Sequence, residues 1–472
     1  MQWRRVLAPR LVVYTTSPMR PPNRPPAQSI GEHVRRTIAL AVPVMIARAG
    51  LVIMVTVNYV MIGQVSSDYL AHYSLSLQPH VTLLVVGIGL MAATTILAAQ
   101  SEGRGRQSAV GGIWRTSLGI GFLLGLLEAI ILFFGPEILL ALQQPPELAY
   151  PGGLALRNFA YGMPAIFMFL ATTNFLEGIG RPQVGMVITI SANFVNAGLN
   201  YLLIEGNWGF PELGAAGSTL ATTITRWCML GAALFYALVL MRDRKRYDIR
   251  LLGGFEMATA KRQLRLGLPL ALSIAIQTAA MAFVATMAGW QGGTTVAAYG
   301  IASNVIGFVF MLSIGLSTAA AVRAANAIGR GDRVGRATAS WVGLGMVLSL
   351  QLVVGTCIFL LRDTLGRAYT PDPAVLALLI PSLILVSFCV VMDGAHNVMQ
   401  GALRAGGDVM IPLGVYVLAY WCISVPLSYW LGYRLAWGAE GFLGGNLVGY
   451  TLAFVLLTLR FRKTSRHEVK PI

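Results

Sequence analysis

The chain has 472 residues, 56% of them hydrophobic and 11% charged, with a mean hydropathy of +0.67. That balance excludes a water-soluble globular domain and makes lipid the solvent. A formal charge of +16 at pH 7 raises the question of a polyanionic partner, which the placement of the basic residues must answer.

Residues 1–35 are rich in Arg and Pro, and the apolar run at 11–14 is too short for a secretory signal. A disordered basic cytoplasmic tail is expected there, and Met19 is an alternative start to Met1. Six apolar runs follow, at 38–62, 73–100, 113–134, 152–176, 182–204 and 213–241, and make an N-lobe over 36–241. Residues 242–265 carry Arg242, Arg244, Lys245, Arg246, Arg250, Lys261, Arg262 and Arg265 around Gly253 and Gly254, as a cytoplasmic connector does. Its second part, from Phe255 to Arg265, suits either an amphipathic helix lying in the interface or a charged loop. Six further runs, at 266–289, 296–326, 337–361, 374–401, 409–431 and 441–459, make a C-lobe over 266–460, and 461–472 form a second tail.

Each run has about the 20 residues a helix needs to cross the hydrocarbon core. The runs are Leu-, Val- and Ala-rich and unalternated, which excludes a transmembrane barrel. The fold expected is an all-α membrane protein of twelve transmembrane helices. If the N-terminus is inside, most of the 35 Lys and Arg fall in cytoplasmic segments, while Asp68, Glu137, Glu147, Glu205 and Glu212 occupy outer loops. The basic excess therefore marks orientation and contact with anionic membrane lipids, not a nucleic acid. The expectation is a multi-pass protein of the cell inner membrane with both termini cytoplasmic; a monomer is expected. Cys228, Cys357, Cys389 and Cys422 are singly spaced within helices and suggest neither disulfides nor a metal site.

The chain is an internal duplication. Without a gap, residues 43–105 align with 269–331, matching Pro43 with Pro269, Gly63 with Gly289, Tyr73 with Tyr299, Gly89 with Gly315 and Gly103-Arg104-Gly105 with Gly329-Arg330-Gly331. Later, Leu176 matches Leu403, and Gly214, Ala215 and Gly217 match Gly438, Ala439 and Gly441. Six helices per half is an even number, so the halves enter the membrane in the same direction as two pseudo-symmetric six-helix lobes, with a site expected between them.

Charges at membrane depth cost at least about 2.5 kcal/mol each, so Arg48, Glu128, Arg157, Arg226, Arg323 and Asp393 are the first candidates for function. Most lie near helix ends, where snorkelling explains them, and Glu128 sits near the outer surface, where hydration and a structural role are expected. Asp393 has long apolar runs on both sides. It suits ion coupling, by taking up and losing a proton or by holding a sodium ion with neutral oxygens, and its non-functional alternative is a permanent ion pair. Arg48 lies at a comparable depth, so an Arg48–Asp393 gate across the halves is one expectation. His396, three residues after Asp393, shares its helix face and either relays protons or hydrogen-bonds the carboxylate. Asn58, Gln78, Gln277 and Asn304 would line a central cavity if the first, second, seventh and eighth helices face one another; interhelical hydrogen bonding is the alternative. No Walker loop, metal-spaced cluster or nucleophile elbow is present, so neither an enzyme nor an ATP-driven pump is expected.

Several stretches resemble the multidrug and toxic compound extrusion (MATE) family: Pro43-Val44 with Met54 to Gly63, the duplicated ends of the second and eighth helices, Glu177-Gly178-Ile179-Gly180-Arg181-Pro182, Leu213-Gly214-Ala215-Ala216-Gly217 and Gln400-Gly401-Ala402-Leu403-Arg404. The resemblance covers about 35–460. It implies an ion-coupled antiporter, without cofactor, that exports small organic cationic substrates by alternating access of two lobes. Acids usual in helices 1, 7 and 10 of bacterial members correspond to Asn58, Gln277 and Asp393, so one acid of three is kept and the sodium site is in doubt. With one carboxylate left, a proton is favoured over sodium as the coupling ion. The alternatives are a lipid-linked oligosaccharide flippase, which calls for more cationic residues in the cavity, and an uncoupled channel or receptor, which calls for a pore or outer domain.

Overall fold

The computed structural model describes residues 30–251 and 253–467, and no strand occurs among them. Among the described residues twelve helices are long and apolar enough to cross a membrane. They are α1 (Ile30–Val65), α2 (Ser67–Gly103), α3 (Gln107–Phe133), α4 (Pro146–Gly178), α5 (Gln183–Leu203), α6 (Gly214–Leu240), α7 (Met257–Gly289), α8 (Gly293–Gly329), α9 (Arg333–Leu360), α10 (Pro373–Ala405), α11 (Met410–Arg434) and α12 (Gly438–Ser465). Local chemistry sets several starts. Ser66 caps α2 by accepting from the Asp68 N–H, Asp332 caps α9 through Gly335, and Asp372 with Pro373 behind it starts α10. Pro43, Pro79, Pro164, Pro269 and Pro381 all sit inside helices, as lipid-embedded helices tolerate when neighbours satisfy the freed carbonyls.

Three expectations at the edges are corrected. The tail expected over 1–35 lies outside the described residues up to 29, but 30–35 are helical and form the first turns of α1. The interfacial helix or loop expected from Phe255 to Arg265 is neither, because α7 begins at Met257 and runs unbroken into the membrane. Residues 461–465, expected in the second tail, complete α12. Two short helices, Gly135–Ala141 after α3 and Arg362–Tyr369 after α9, were not legible in the sequence; they occupy matching places in the two repeats.

Two hydrophobic cores form. One draws on α1–α6, from Met54 through Trp114, Phe159, Phe167 and Phe175 to Met241; the other on α7–α12, from Ala280 through Tyr299 and Leu383 to Phe461. Large apolar side chains outside them face outward, for example Leu123, Leu127 and Ile130 on α3 and Leu352, Val353 and Leu360 on α9. Such belts suit hydrocarbon and would be untenable in water.

The lobes meet through α1, α2, α7 and α8, and the repeat is visible in how they touch. A Cβ on Gly89 would lie 2.6 Å from the Ala271 Cα, while one on its mate Gly315 would lie 2.0 Å from the Met45 side chain; positions 45 and 271 are themselves mates. Likewise Gly103 abuts the Asn326 carbonyl and Gly329 the carbonyl of Gln100, the mate of Asn326. Small residues let the backbones approach this closely. Hydrogen bonds reinforce the same face: Gln100 donates to the Ala405 carbonyl at 2.8 Å, Arg323 to Thr37 and the His33 carbonyl at 2.5 and 2.7 Å, and Gln263 to Thr94 at 3.2 Å. All of these contacts lie toward the face that carries the connector and both ends of the described chain, which is therefore sealed.

Arg48 takes no part in a gate with Asp393. Its Nη2 donates to Glu177 Oε1 at 3.2 Å and to Asn174 Oδ1 at 3.3 Å, both on α4 of its own lobe. Equal depth placed Arg48 and Asp393 at one level, but the lobes turn them into separate cores. Glu177 is buried, and Arg404 from α10 adds a second positive charge acting on it across the lobe boundary.

Two outcomes are expected. Gly329→Ala puts a Cβ against a carbonyl that has no room to move, an overpacking cost of about 1–3 kcal/mol; thiol cross-linking between cysteines introduced at 100 and 405 in a cysteine-free background should fall several-fold. Glu177→Gln leaves the half-buried Arg48 guanidinium without its carboxylate and should cost about 1–3 kcal/mol of stability, read as a lowered melting temperature of the purified protein, with Glu177→Ala no worse by more than a fraction of that.

Candidate functional site

Apart from the bonds that join the lobes, a cluster of polar residues lies inside each lobe. In the second lobe, Asp393 on α10 is 3% exposed and its Oδ1 lies 3.2 Å from His396 Nε2 one helical turn on. His396 is held on its far side by α11, where a widened helical stretch, Val417–Ser424, follows Tyr416. The Tyr416 hydroxyl lies 3.2 Å from His396 Nδ1, the Tyr420 hydroxyl 3.2 Å from Nε2, and the Tyr450 ring of α12 packs 5.7 Å from the imidazole. With Nε2–H donating to Asp393, Nδ1 is the acceptor for Tyr416, so one tautomer satisfies both contacts. Asn397 donates to the Asp393 backbone carbonyl at 2.8 Å. Among the described residues no Lys or Arg makes an ion pair with Asp393, so the permanent pair does not form. The lobe thus holds a carboxyl, an imidazole and the two phenols of Tyr416 and Tyr420 in one buried chain, with the Tyr450 ring packed beside it.

In the first lobe, Asn58 on α1 is 1% exposed and its hydrogen bonds are all local. Its Nδ2 donates to Tyr73 at 3.2 Å and Thr222 at 3.0 Å, and its Oδ1 accepts from Asn200 at 2.6 Å, which in turn donates to Asn196 at 3.1 Å. The other lobe repeats part of this motif, because Asn446, the mate of Thr222 in the register of Gly214 and Gly438, donates to Tyr299, the mate of Tyr73, at 3.1 Å. Beside the amides, His80 stacks on Phe159 at 4.1 Å, and Arg226 Nη2 donates to His80 Nε2 at 2.8 Å. An apolar cavity of about 80 Å³ is lined by Asn58, Tyr73, His80, Phe159 and Arg226 among the aliphatic side chains of α1, α2 and α4.

The four neutral candidates lie in different surroundings. Asn58 belongs to the first lobe's amide cluster. Gln277 is nearly buried on α7, with no hydrogen bond to Asp393 among the described residues. Gln78 is exposed, and Asn304, also exposed, accepts from Tyr369 of the short helix Arg362–Tyr369 at 3.1 Å. Two expectations about charges are also corrected. Arg226 does not snorkel but points into the lobe at 7% exposure, and Glu128, expected to be hydrated, is buried with its Oε2 unpartnered. Glu177 was overlooked as a buried acid because the fourth apolar run seemed to end at 176. His80 and the phenols of Tyr416 and Tyr420 were overlooked as well; the four-residue spacing of the two tyrosines was the available signal.

The family model MatE matches residues 43–202 and 269–430, one segment in each repeat. A probable multidrug resistance protein NorM from Caulobacter vibrioides is 30% identical over 431 residues, 90% of this chain and 90% of that protein. The multidrug resistance protein PmpM of Pseudomonas aeruginosa is 29% identical over 446 residues, 93% of this chain and 94% of its own. Among solved structures, an outward-facing multidrug resistance MATE transporter of the MOP superfamily superposes with a TM-score of 0.84 at 19% identity, covering 92% of this chain and 96% of that one. The eukaryotic MATE transporter AtDTX14 gives 0.83 at 17%, with 93% and 98% covered. Duplicated sequence, twin cores meeting on glycines and both matched segments agree, and the chain belongs to the multidrug and toxic compound extrusion (MATE) family, a multi-pass secondary transporter and not an enzyme.

Proposed function

We propose that this transporter exports organic, cationic, amphipathic compounds from the cell by ion-coupled antiport, with Asp393 as the coupling group. The arrangement of Asp393 carries the proposal: a carboxyl buried in the second lobe with an imidazole as its polar partner and no fixed cation to neutralise it. A change of charge there alters the balance between lobe arrangements, because an ionised carboxylate in a dry core must be solvated by something that moves. The multidrug resistance described for the NorM and PmpM relatives supports the substrate class.

A proton suits the site better than sodium. A cation needs lone pairs converging on it, whereas His396 presents an N–H to the carboxylate and Tyr420 another hydroxyl to the same ring nitrogen. His396 then passes or shares the proton through Tyr416, within 3.2 Å on the opposite ring nitrogen. No cofactor takes part in this scheme. Each proton entering down 100 mV supplies about 2.3 kcal/mol, the drive for expelling a cation.

The concentration of Lys and Arg in the connector supports reading that face as cytoplasmic, with both termini inside the cell, the protein in the inner membrane and the lobes closed inward. Rocking of the lobes about the glycine contacts then exposes the central space alternately to each side.

In proteoliposomes, Asp393→Asn should abolish gradient-driven export, by about tenfold or more, while leaving passive binding of the same compound measurable; full export by the variant would overturn the coupling role. Wild-type export of a cationic dye should follow an imposed pH gradient, acid on the side opposite the connector, and collapse with a protonophore. Dependence on a sodium gradient alone would replace the proton with sodium at Asp393.

A further inference from the structure

The first lobe holds a buried positive charge that the coupling scheme leaves unused. Arg226 on α6 lines the 80 Å³ cavity, at 7% exposure, and its donors have weak company: His80 Nε2 at 2.8 Å, the Met163 sulfur at 3.8 Å and the face of Phe159 at 5.5 Å. No carboxylate lies within 4.0 Å of it among the described residues. Glu128 on α3 acts on it only through space, and Tyr73 is the other titratable group close enough to matter. A guanidinium desolvated to this degree is costly unless an anion approaches it.

His80 adds a second, independent observation. Because its Nε2 accepts from Arg226, its proton sits on Nδ1, and that buried N–H has no hydrogen-bond partner among the described residues. The cavity between these groups has room for two or three waters at roughly 30 Å³ each, hence for a group of carboxylate or halide size and not for a whole drug. Its remaining walls, Leu51, Met54, Leu84, Ile88 and Leu170, are apolar, and none of the lining residues is acidic.

We propose that this cavity in the first lobe is an anion site, in which Arg226 and His80 hold a single monovalent anion, either the carboxylate of a zwitterionic substrate or a free halide. The two lobes then have opposite polarity, an acid in the second and an anion receptor in the first. The substrate arm deepens the export function proposed above and rests on it; the binding arm does not.

The test begins with the purified full-length protein in lipid nanodiscs. Its melting temperature is compared in sodium chloride, sodium acetate and sodium gluconate at equal ionic strength, gluconate being too large for the cavity. Chloride and acetate should raise the melting temperature over gluconate in a concentration-dependent, saturable way, and Arg226→Gln should remove the difference. Leu84→Phe, which fills the cavity and leaves Arg226 in place, should remove it too, and decides the matter if Arg226→Gln does not fold. An equal anion response in the variant and the wild type, or no response in the wild type, overturns the proposal.

Proteoliposomes distinguish the sources, using a rhodamine with a free carboxylate and its methyl ester. A preference of about fivefold or more for the acid that is independent of chloride and lost in the variants assigns the site to substrate carboxylate. Chloride dependence of both dyes, lost in the variants, assigns it to halide. If the wild type moves neither dye, the export function fails for this substrate class while the melting experiment still decides the anion site.

Discussion

In hydrocarbon a polar group has no water to fall back on, and this constraint shapes the whole molecule. Every amide, hydroxyl and charge that the helices carry inward must find another. The result is two self-contained polar clusters, Asn58 with Tyr73, Thr222 and Asn200 in one lobe and Asp393 with His396, Tyr416 and Tyr420 in the other, each wrapped in its own apolar core. Even the cation Arg48 is satisfied inside its lobe, by Glu177 and Asn174. Neither of these two clusters reaches across the boundary, which is bridged by other bonds, from Gln100 to Ala405, Gln263 to Thr94 and Arg323 to Thr37 and His33.

What lies between the lobes is correspondingly spare. Glycines at matched positions let α2 press on α7 and α8 press on α1, Gly89 against the Ala271 backbone and Gly315 against the Met45 side chain. A contact made by small residues and a few hydrogen bonds at one face can be broken without unpacking either core.

Duplication supplied the frame and divergence broke its symmetry. Tyr73 and Tyr299 keep one role in both lobes, each accepting from an amide. The chemistry beside them differs: Arg226 is paired with His80 in the first lobe, while Asp393 is paired with His396 in the second.

The sequence by itself determined the twelve helices, the duplication, the family and the singular position of Asp393, because hydropathy, repeat register and the rarity of charges in lipid are properties of the chain taken one segment at a time. It also marked His396, since three residues along a helix is a fixed geometry. Partners across helices were another matter. Arg48 joined Glu177 instead of Asp393, Arg226 turned inward to His80, and Tyr416 and Tyr420 closed over His396, none of which depth or spacing along the chain could decide. The ends of α1, α7 and α12 also ran past their apolar cores, since a helix continues into water as long as its backbone bonds do. Rotation of each helix about its axis sets which side chains meet, and only packing of the lobe as a whole fixes that rotation.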